Sequence, residues 1–428
     1  MSAPTDPGPE APGAAPTLDP FAPGFADDPY EQYARLREAD PVHRSTTLFG
    51  WVVTRFDDVG ALLRDASVSS DIHHATPTPA TVIELEQLAE APRASETVVL
   101  MDDPDHARVR KLLAAPFRPR EVERLRASVA DRTDQAIDTL LEQHGPGPVA
   151  VDLITELAYP LPVEVFSDIL GLPEEDHPRF RYLSGMVARS TDPLLNPVER
   201  AECLAALDEM YAYLEDAAEG KRRHPEDDLM SELVHAQVDG EVMTHTELLA
   251  QLVTLYLAGH EPVASIVGAG TLALVRHPDQ LARLRAEPGL VRNGVSELLR
   301  YDGPNQFMRR ITTRPTVIGG VELPAGEVIY ASPAAANRDP ARWGDTADEV
   351  VVDRPDAGQH LQFGAGVHAC LGSHLARAQA EIAFAAILAR LDDLELAGDP
   401  VWNNRIFIRG LDRLPITCTI RPRAAASS

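Results

Sequence analysis

The sequence is short of basic residues and of cysteine. Of its 428 residues, 39 are Lys or Arg and 66 are Asp or Glu, which gives a formal charge of −27 at pH 7. Such a deficit argues against binding to a phosphate backbone, which needs clustered Lys and Arg. The three cysteines, Cys203, Cys370 and Cys418, lie far apart in the chain and suggest no disulfide framework. We therefore expect a cytoplasmic protein.

Long apolar runs and an export signal are also missing. No stretch of 18 or more consecutive apolar residues occurs, so we expect no membrane anchor. Residues 1–20 are rich in Pro, Ala and Gly without the basic and apolar segments of a signal peptide, which predicts a disordered tail. No linker divides the remainder, and we expect one domain over 21–422 with a second disordered tail at 423–428.

Helical periodicity dominates the interior of the chain. Apolar residues recur at helical spacing in 29–41, from Arg120 to His144 and from Pro197 to Arg222. Strand-like segments are short and occur in two places, Leu48 to Thr54 and Thr316 to Ala331. The fold class is therefore predicted to be mainly α, a large helical domain with a small antiparallel β region.

One predicted helix is unusually long and apolar. Thr244 and Glu247 have capping-box spacing, and an apolar run from Leu248 to Val275 follows. At 1.5 Å per residue a helix of this length would be about 45 Å long, enough to cross a domain. Because it is apolar nearly all round, it belongs in the centre of the protein.

The strongest local pattern is FGAGVHACLGSHLARAQAE, residues 363–381. A glycine-rich loop here delivers Cys370 to the start of a helix predicted from Leu371 to Leu391, where the helix dipole favours a thiolate. Gly364, Gly366 and Gly372 would allow close approach of a flat cofactor, against which Phe363 could pack.

Two other readings of this segment compete. An isolated buried cysteine can be a small apolar core residue. Zinc binding by Cys370 with His360, His368 and His374 is a second alternative, although their spacings match no common ligand pattern.

The segment resembles the haem-binding loop of the cytochrome P-450 family, FGxGxHxCxGxxLAR, at every fixed position from Phe363 to Arg377. The resemblance implies the P-450 fold, with heme b bound through Cys370 as the thiolate ligand of the iron. It also implies an O2-dependent monooxygenase of the soluble, actinobacterial type, expected to be a monomer that tailors natural products.

Further landmarks of this family follow in order along the chain. His106 and Arg110, spaced i and i+4 on a helix after Pro104, would hold haem propionates together with Arg310 and His368. The adjacent Arg309 leaves the arginine assignment open by one position. Three more residues resemble the family's structural Glu-Arg-Arg triad: Glu297, Arg300 and Arg354.

The long helix departs from the family pattern at one position. The family reads AGxE or AGxD followed by Thr over the distal haem face, with a small pair that leaves room for dioxygen and an acid that relays protons. Here Ala258, Gly259 and Glu261 are kept, but Pro262 replaces the threonine. A proline removes one N–H and frees the carbonyl of Ala258. Hydroxylation assisted by substrate or water, use of peroxide, and oxidative coupling without oxygen insertion remain alternatives.

The resemblance also indicates a distal pocket between several loops. Residues 69–100 would cover it, and an apolar or aromatic small molecule would suit its lining. Asn305, Gln306 and Arg405 could orient that molecule. The expected pocket residues are Asn305, Gln306, Phe307, Met308, Phe407 and Ile408.

No flavin, nicotinamide or iron–sulfur pattern is present to supply electrons. We expect NAD(P)H to be the source, through a separate ferredoxin and ferredoxin reductase. Arg108, Lys111 and Arg118 could meet an acidic ferredoxin locally. A haem sensor without turnover is the alternative from another class, and the retained Glu261 counts against it.

Overall fold

The structure is a computed structural model, and it describes residues 16–190 and 195–423. Most of the two predicted tails, 1–15 and 424–428, therefore lies outside the described residues. Leu18 lies inside the predicted N-terminal tail, yet it is 2% exposed and packs in an apolar cluster with Phe25 and Tyr33. The packed part of the chain therefore begins a few residues before the predicted boundary at 21, because Leu18 has apolar surface to bury.

Helices make up most of the described chain, as predicted. Within those residues the α-helices are α1 (Tyr30–Ala39), α2 (Phe56–Arg64), α3 (Pro79–Glu90), α4 (Asp105–Leu113), α5 (Pro119–His144), α6 (Pro160–Leu170), α7 (His177–Arg189), α8 (Pro197–Arg223), α9 (Leu229–Val234), α10 (His245–Arg276), α11 (Pro278–Ala286), α12 (Val291–Asp302), α13 (Pro333–Ala336), α14 (Pro340–Trp343) and α15 (Ser373–Arg390). Short 3-10 turns and one π-helical turn, Ile154–Ala158, join them.

Twelve strands form four small sheets in the described chain. They are β1 (Val42–Ser45), β2 (Gly50–Val53), β3 (Val68–Ser69), β4 (Pro148–Asp152), β5 (Met308–Thr312), β6 (Thr316–Ile318), β7 (Val321–Leu323), β8 (Val328–Ala331), β9 (Leu391–Leu396), β10 (Val401–Trp402), β11 (Leu411–Arg413) and β12 (Pro415–Ile420). The largest has the order β1-β2-β8-β5-β3, and its β2–β8 pair is parallel.

Both strand regions that the sequence predicts are present, as β2 and as β6 to β8. The prediction that strands occur in only two places was wrong. The sheet β4-β12-β9 and the pair β10-β11 were missed. Their partners are distant in sequence: Val151 pairs with Ile416 and Ile416 with Leu396. Such pairing leaves little local periodicity to read.

The long helix α10 forms the centre of the molecule. Thr244 and Glu247 form the predicted capping box, with the Thr244 hydroxyl accepting from the Glu247 N–H at 3.1 Å. Of the described helices it alone is long and apolar enough to cross a membrane, and 61% of its most apolar window is buried inside the protein. Because α6, α8, α12 and α15 pack around it, its apolar surface is used as core.

Two large apolar cores meet along α10. One joins the C-terminal half of α10 to α12, α15 and the β4-β12-β9 sheet, and the other joins its N-terminal half to α6, α7 and α8. Pro262, Val263 and Ile266 of α10 line one cleft together with Phe363 of the loop that carries Cys370. The fold thus places the two most informative sequence patterns opposite each other.

Candidate active site

The loop that carries Cys370 is fixed by backbone contacts. The Cys370 N–H donates to the carbonyl of Phe363 at 2.8 Å, and Arg110 Nη2 donates to the carbonyl of Ala369 at 2.5 Å. Gly364 and Gly366 adopt φ values of +66° and +72°, which side chains rarely tolerate. A Cβ on Gly366 would also lie 2.4 Å from the carbonyl oxygen of Leu63. Gly366 is therefore required by packing on α2, whereas the sequence interpretation assigned it to the cofactor.

Cys370 is exposed, at the end of the loop whose Phe363 borders the cleft. Desolvation raises the pKa of its thiol, while the Gly372 N–H and the guanidinium groups of Arg110 and Arg377 lower it. The Gly372 N–H at the start of the helix thus acts in the predicted direction, toward the thiolate, and desolvation opposes it. A bound metal cation would supply the missing stabilisation, since a coordinating thiol is deprotonated outright.

Near Cys370 lies a group of polar side chains, some of whose hydrogen-bonding atoms have no partner among the described residues. His106 is 2% exposed, and its Nε2 atom is buried without a hydrogen-bond partner. Its ring lies 4.1 Å from that of His368, whose Nε2 is 3.1 Å from Ser70 Oγ. Burial, followed by Arg310, lowers the pKa of His368 to about 3, so this ring is neutral.

Two arginines beside these histidines have no carboxylate partner among the described residues. Arg110 and Arg310 form no ion pair with those residues. Burial lowers the pKa of both guanidinium groups, that of Arg310 to about 10. Arg309, by contrast, is paired with Glu84. Of the two arginines, only Arg310 is therefore without a carboxylate partner among the described residues. An orphaned imidazole nitrogen and two unpaired guanidinium groups fit the acidic arms of a haem.

The opening beside Cys370 suits a flat group. A Cβ on Gly372 would meet no atom within 4 Å, so space is open next to the sulfur. Phe363 borders an apolar pocket that Pro262, Val263 and Ala376 also line. Within the described ranges no three His, Cys, Asp or Glu side chains are grouped as metal ligands, which leaves zinc without support. The residues present therefore fit a haem bound through one cysteine.

The predicted Glu-Arg-Arg cluster is confirmed and fully buried. Arg300 donates to Glu297 at 2.7 and 2.8 Å, and Arg354 Nε donates to the same carboxylate at 3.0 and 3.1 Å. Arg300 also donates to the carbonyls of Asn337 and Ala347. Because these carbonyls belong to the segment before the Cys370 loop, the cluster fixes the path of that segment.

The middle of α10 continues as helix through Pro262. Ala258 is exposed toward the cleft and has no N–H four residues ahead to bond its carbonyl. A Cβ on Gly259 would lie 2.3 Å from two ring carbons of Phe166 in α6. The sequence interpretation used both residues as room for dioxygen. For Gly259, close packing of α10 on α6 is a second reason for the missing side chain.

Glu261 is 9% exposed and forms an ion pair with Arg405, which lies 144 residues later in the loop between β10 and β11. Sequence reasoning placed Arg405 only among groups that could orient a substrate. No local signal links these two residues, because the contact depends on how the C-terminal loop folds back over α10. The pair joins the acid of the long helix to the loop that carries Phe407 and Ile408.

The two predicted pocket segments lie side by side. Asn305 pairs with Ile408 in an isolated β-bridge, and the Gln306 N–H donates to the Phe407 carbonyl at 2.9 Å. Asn305 borders the cavity, whereas Phe407 is exposed with its ring against Tyr330. Met308 starts β5 beside Gly364 of the Cys370 loop.

Two pocket predictions are corrected. Gln306 is 1% exposed and accepts a hydrogen bond from Tyr33 at 3.0 Å. Phe307 is 3% exposed and packs edge-on against Tyr33 and Tyr330 in a separate core. Both side chains therefore pack against α1 and the sheet and do not point into the cleft. The sequence could not predict this, because an irregular loop gives no periodicity from which side-chain direction can be read.

The basic residues proposed to meet a redox partner are partly neutralised. Arg108 is ion-paired with Glu247 and Asp105, and Lys111 with Asp239. Arg118 precedes α5 at its N-cap position. The local positive field around α4 is therefore weaker than the sequence suggests.

Comparison with known proteins finds a matching family model, relatives in sequence and solved structures of the same fold. The model of the family described as Cytochrome P450 matches residues 67–405. Cytochrome P450 monooxygenase PikC of Streptomyces venezuelae is 39% identical over 411 residues, covering 94% of each chain. The solved structure of the cytochrome P450 PksS of the Bacillus subtilis bacillaene polyketide synthase superimposes with a TM-score of 0.85 at 31% identity, covering 94% of this chain and 100% of the other. The cytochrome P450 CxnD, described for C–S bond formation in chuangxinmycin biosynthesis, gives 0.80 at 32% identity, with 92% and 96% covered.

Proposed function

The chain belongs to the cytochrome P450 family and is a monooxygenase of that family, and from this premise we propose that it tailors a neutral, mainly apolar natural product. Its relatives include enzymes of natural-product biosynthesis. A bound haem supplies the redox chemistry by which dioxygen is activated. The remaining steps concern what the side chains of this protein do.

Cys370 would bind the iron as its thiolate ligand, with the Gly372 N–H softening the charge on sulfur. His106, Arg110, Arg310 and His368 would hold the propionates, because the two arginines have no carboxylate partner among the described residues, His106 Nε2 has no hydrogen-bond partner there and His368 is a neutral donor or acceptor. Phe363 would pack against the haem ring, and Gly372 would leave space for it.

On the opposite side, Ala258 and Pro262 would form the wall against which dioxygen binds. Neither offers a hydroxyl, so any hydrogen bond to bound oxygen from this wall must come from water on the free Ala258 carbonyl or from the substrate. Glu261 would hold and release the proton, and Arg405 would keep its carboxylate in position between turnovers.

The observation that carries the proposed substrate class is that the polar groups around the cleft are already bonded within the protein. Asn305 donates to the Gln362 carbonyl at 2.8 Å, and its N–H donates to Gln362 Oε1 at 2.8 Å. Arg405 is paired with Glu261 and Arg309 with Glu84. Of the described arginines in and next to the pocket segments, only Arg310 has no carboxylate partner, and it is assigned to the haem propionates. A neutral molecule held mainly by apolar contact is therefore favoured.

Binding to the purified, haem-loaded protein tests this class directly. We expect 1-tetradecanol to shift the Soret band as a substrate does, and myristic acid of the same chain length to bind at least roughly tenfold more weakly, because its carboxylate would lack a partner. Equal or tighter binding of the acid would contradict the proposal.

A second candidate is oxidative bond formation without oxygen insertion, and Pro262 favours it. Ring closure or coupling needs no oxygen transfer to the substrate, so the hydroxyl that Pro262 replaces matters less. The similarity to CxnD, described for C–S bond formation, points the same way. Turnover under 18O2 separates the two candidates: label in the product supports monooxygenation, and an unlabelled, dehydrogenated product supports coupling.

We also propose that electrons reach the protein from NAD(P)H through a ferredoxin and its reductase, and that the protein works in the cytoplasm as a monomer. Three free cysteines support a reducing compartment. Reduction by ferredoxin and reductase, but not by NADPH alone, is the expected result.

A further inference from the structure

The loop between β10 and β11, residues 403–410, connects two segments that form the walls of the cleft. Arg405 in this loop is ion-paired with Glu261 of α10. Ile408 forms an isolated β-bridge with Asn305, which borders the cleft. A shift of the loop would therefore move groups on both walls.

The loop has little regular structure of its own to hold it in place. At its base the Asn403 N–H donates to the Gly410 carbonyl at 2.9 Å, and the Gly410 N–H donates to Asn403 Oδ1 at 3.2 Å. The strands that flank it are short, since β10 has 2 residues and β11 has 3. Such short strands add few ladder hydrogen bonds, so the position of the loop depends on its contacts with other segments.

One side chain of the loop, that of Arg409, makes several such contacts at once. Arg409 is 5% exposed. Its Nε donates to the carbonyl of Ala26 at 2.7 Å, and its Nη2 donates to the carbonyl of Asp27 at 2.8 Å. Its Nη1 is ion-paired with Asp302 at the end of α12, and its guanidinium carbon lies 3.4 Å from the centroid of the Trp402 ring. Each guanidinium nitrogen therefore has an acceptor.

The segment that accepts two of these bonds, residues 18–27, is itself fixed to the core. Its apolar side chains pack with Ile406 of the loop in the cluster around α1. The hydroxyl of Tyr30, just after the segment, donates at 2.7 Å to the same Asp302 carboxylate that pairs with Arg409. The segment thus offers the loop a fixed support on the side away from α10.

Arg409 acts on the cleft only through the backbone. Among the described residues, its side chain forms no hydrogen bond or ion pair with a residue that borders the cleft. Its N–H, however, donates at 2.8 Å to the carbonyl of Pro304, which does border the cleft. A lysine could not replace it, because a single ammonium group cannot bond two carbonyls and a carboxylate in the way that a planar guanidinium does.

We propose that Arg409 is a positioning residue of the substrate cleft, through which the segment 18–27 holds the loop 403–410 against both cleft walls. Residues outside the cleft then set how tightly it closes around a bulky ligand. Loosening Arg409 lets the loop move, so a ligand that reaches the loop loses contacts, whereas a smaller ligand loses none. The effect on substrate rests on the proposed function, and the attachment of the loop does not.

Hydrogen–deuterium exchange of the haem-loaded protein tests the attachment without any ligand. Arg409→Lys keeps the charge but loses carbonyl bonds, so the amides of 403–410 should exchange roughly tenfold faster. Arg390→Lys is the matched control. Arg390 is also 5% exposed and also bonds two backbone carbonyls and two carboxylates, but it ties α15 to α5 and to the chain after β12. Unchanged exchange of 403–410 in Arg409→Lys, or an equal rise in both variants, would overturn the proposal.

Two azoles of different size, which bind a haem iron from the cleft side, test the effect on ligand binding. We expect Arg409→Lys to bind 4-phenylimidazole roughly fivefold or more weakly than the wild-type protein, because the bound loop must first be ordered. Imidazole, which is too small to reach the loop, should bind both proteins equally, and Arg390→Lys should match the wild type for both azoles. Equal weakening of both azoles by Arg409→Lys would show a general loss of structure, and unchanged binding of both would show that the loop does not shape the cleft. Either result would overturn the proposal.

Asp302→Asn gives a second test that keeps Arg409 in place, for use if Arg409→Lys does not fold. It removes the shared carboxylate and leaves the bonds to Ala26 and Asp27, so exchange of 403–410 should rise by less than in Arg409→Lys. No rise would overturn the proposal.

Failure of this inference and failure of the proposed function are distinguishable. Loss of the thiolate-type spectrum of the reduced, carbon monoxide-bound wild-type protein would defeat the proposed function and leave the exchange result standing. An intact spectrum, with unchanged exchange and azole binding in Arg409→Lys, would defeat the positioning role alone.

Discussion

Replacing Gly259 by alanine tests why this position of α10 has no side chain. Two effects oppose each other. Alanine is a better helix former than glycine by about 1 kcal/mol, which would stabilise the protein. A Cβ at this position would lie 2.3 Å from Cδ2 and Cε2 of the Phe166 ring, far inside contact distance. Overpacking of this kind costs about 1–3 kcal/mol, because the ring is 1% exposed and has little room to move.

We therefore expect Gly259→Ala to be destabilised by up to about 2 kcal/mol net, measured by denaturant unfolding of the haem-loaded protein. Gly220 is the matched control. It lies in α8, where a Cβ would meet nothing within 4 Å, so Gly220→Ala should be stabilised. Adding Phe166→Leu to Gly259→Ala should restore part of the loss. A Gly259→Ala variant as stable as Gly220→Ala would refute the packing explanation and return Gly259 to the role of making room for dioxygen.

Other substitutions separate neighbouring roles. Arg310→Leu should weaken haem retention, measured by transfer to apomyoglobin, whereas Arg309→Leu should not, because only Arg310 lacks a carboxylate partner; equal losses would contradict this assignment. Glu297→Gln should lower the free energy of unfolding by about 3–5 kcal/mol, since two buried guanidinium groups lose their counter-charge, and Asp353→Asn in an exposed pair should leave Tm nearly unchanged. Pro262→Thr restores a hydroxyl and should change the fraction of NADPH electrons recovered in product. If that fraction and the product itself were unchanged, Pro262 would be only a tolerated substitution.

What the sequence could predict depended on how local the signal was. The capping box of α10 and the loop around Cys370 depend on residues a few positions apart, so their pattern is readable directly. Glu297 with Arg300 is also local, and the family resemblance added Arg354. The three-residue cluster then formed as expected.

What the sequence could not predict depended on the path of distant segments. Arg405 meets Glu261 only because the C-terminal loop returns over α10, and Gly259 is small because Phe166 of α6 approaches it. The sides to which Gln306 and Phe307 point follow from Tyr33 in α1. Each of these contacts joins residues more than ninety positions apart, and none leaves a spacing pattern.

The central claim is that Cys370 binds a haem iron as thiolate, and one spectrum tests it most directly. The purified protein is reduced, exposed to carbon monoxide and scanned alongside Cys370→Ser. We predict that the wild-type protein gives the red-shifted Soret band from which the family takes its name, and that Cys370→Ser loses it. A colourless wild-type protein, or a band that the substitution leaves unmoved, would contradict the account.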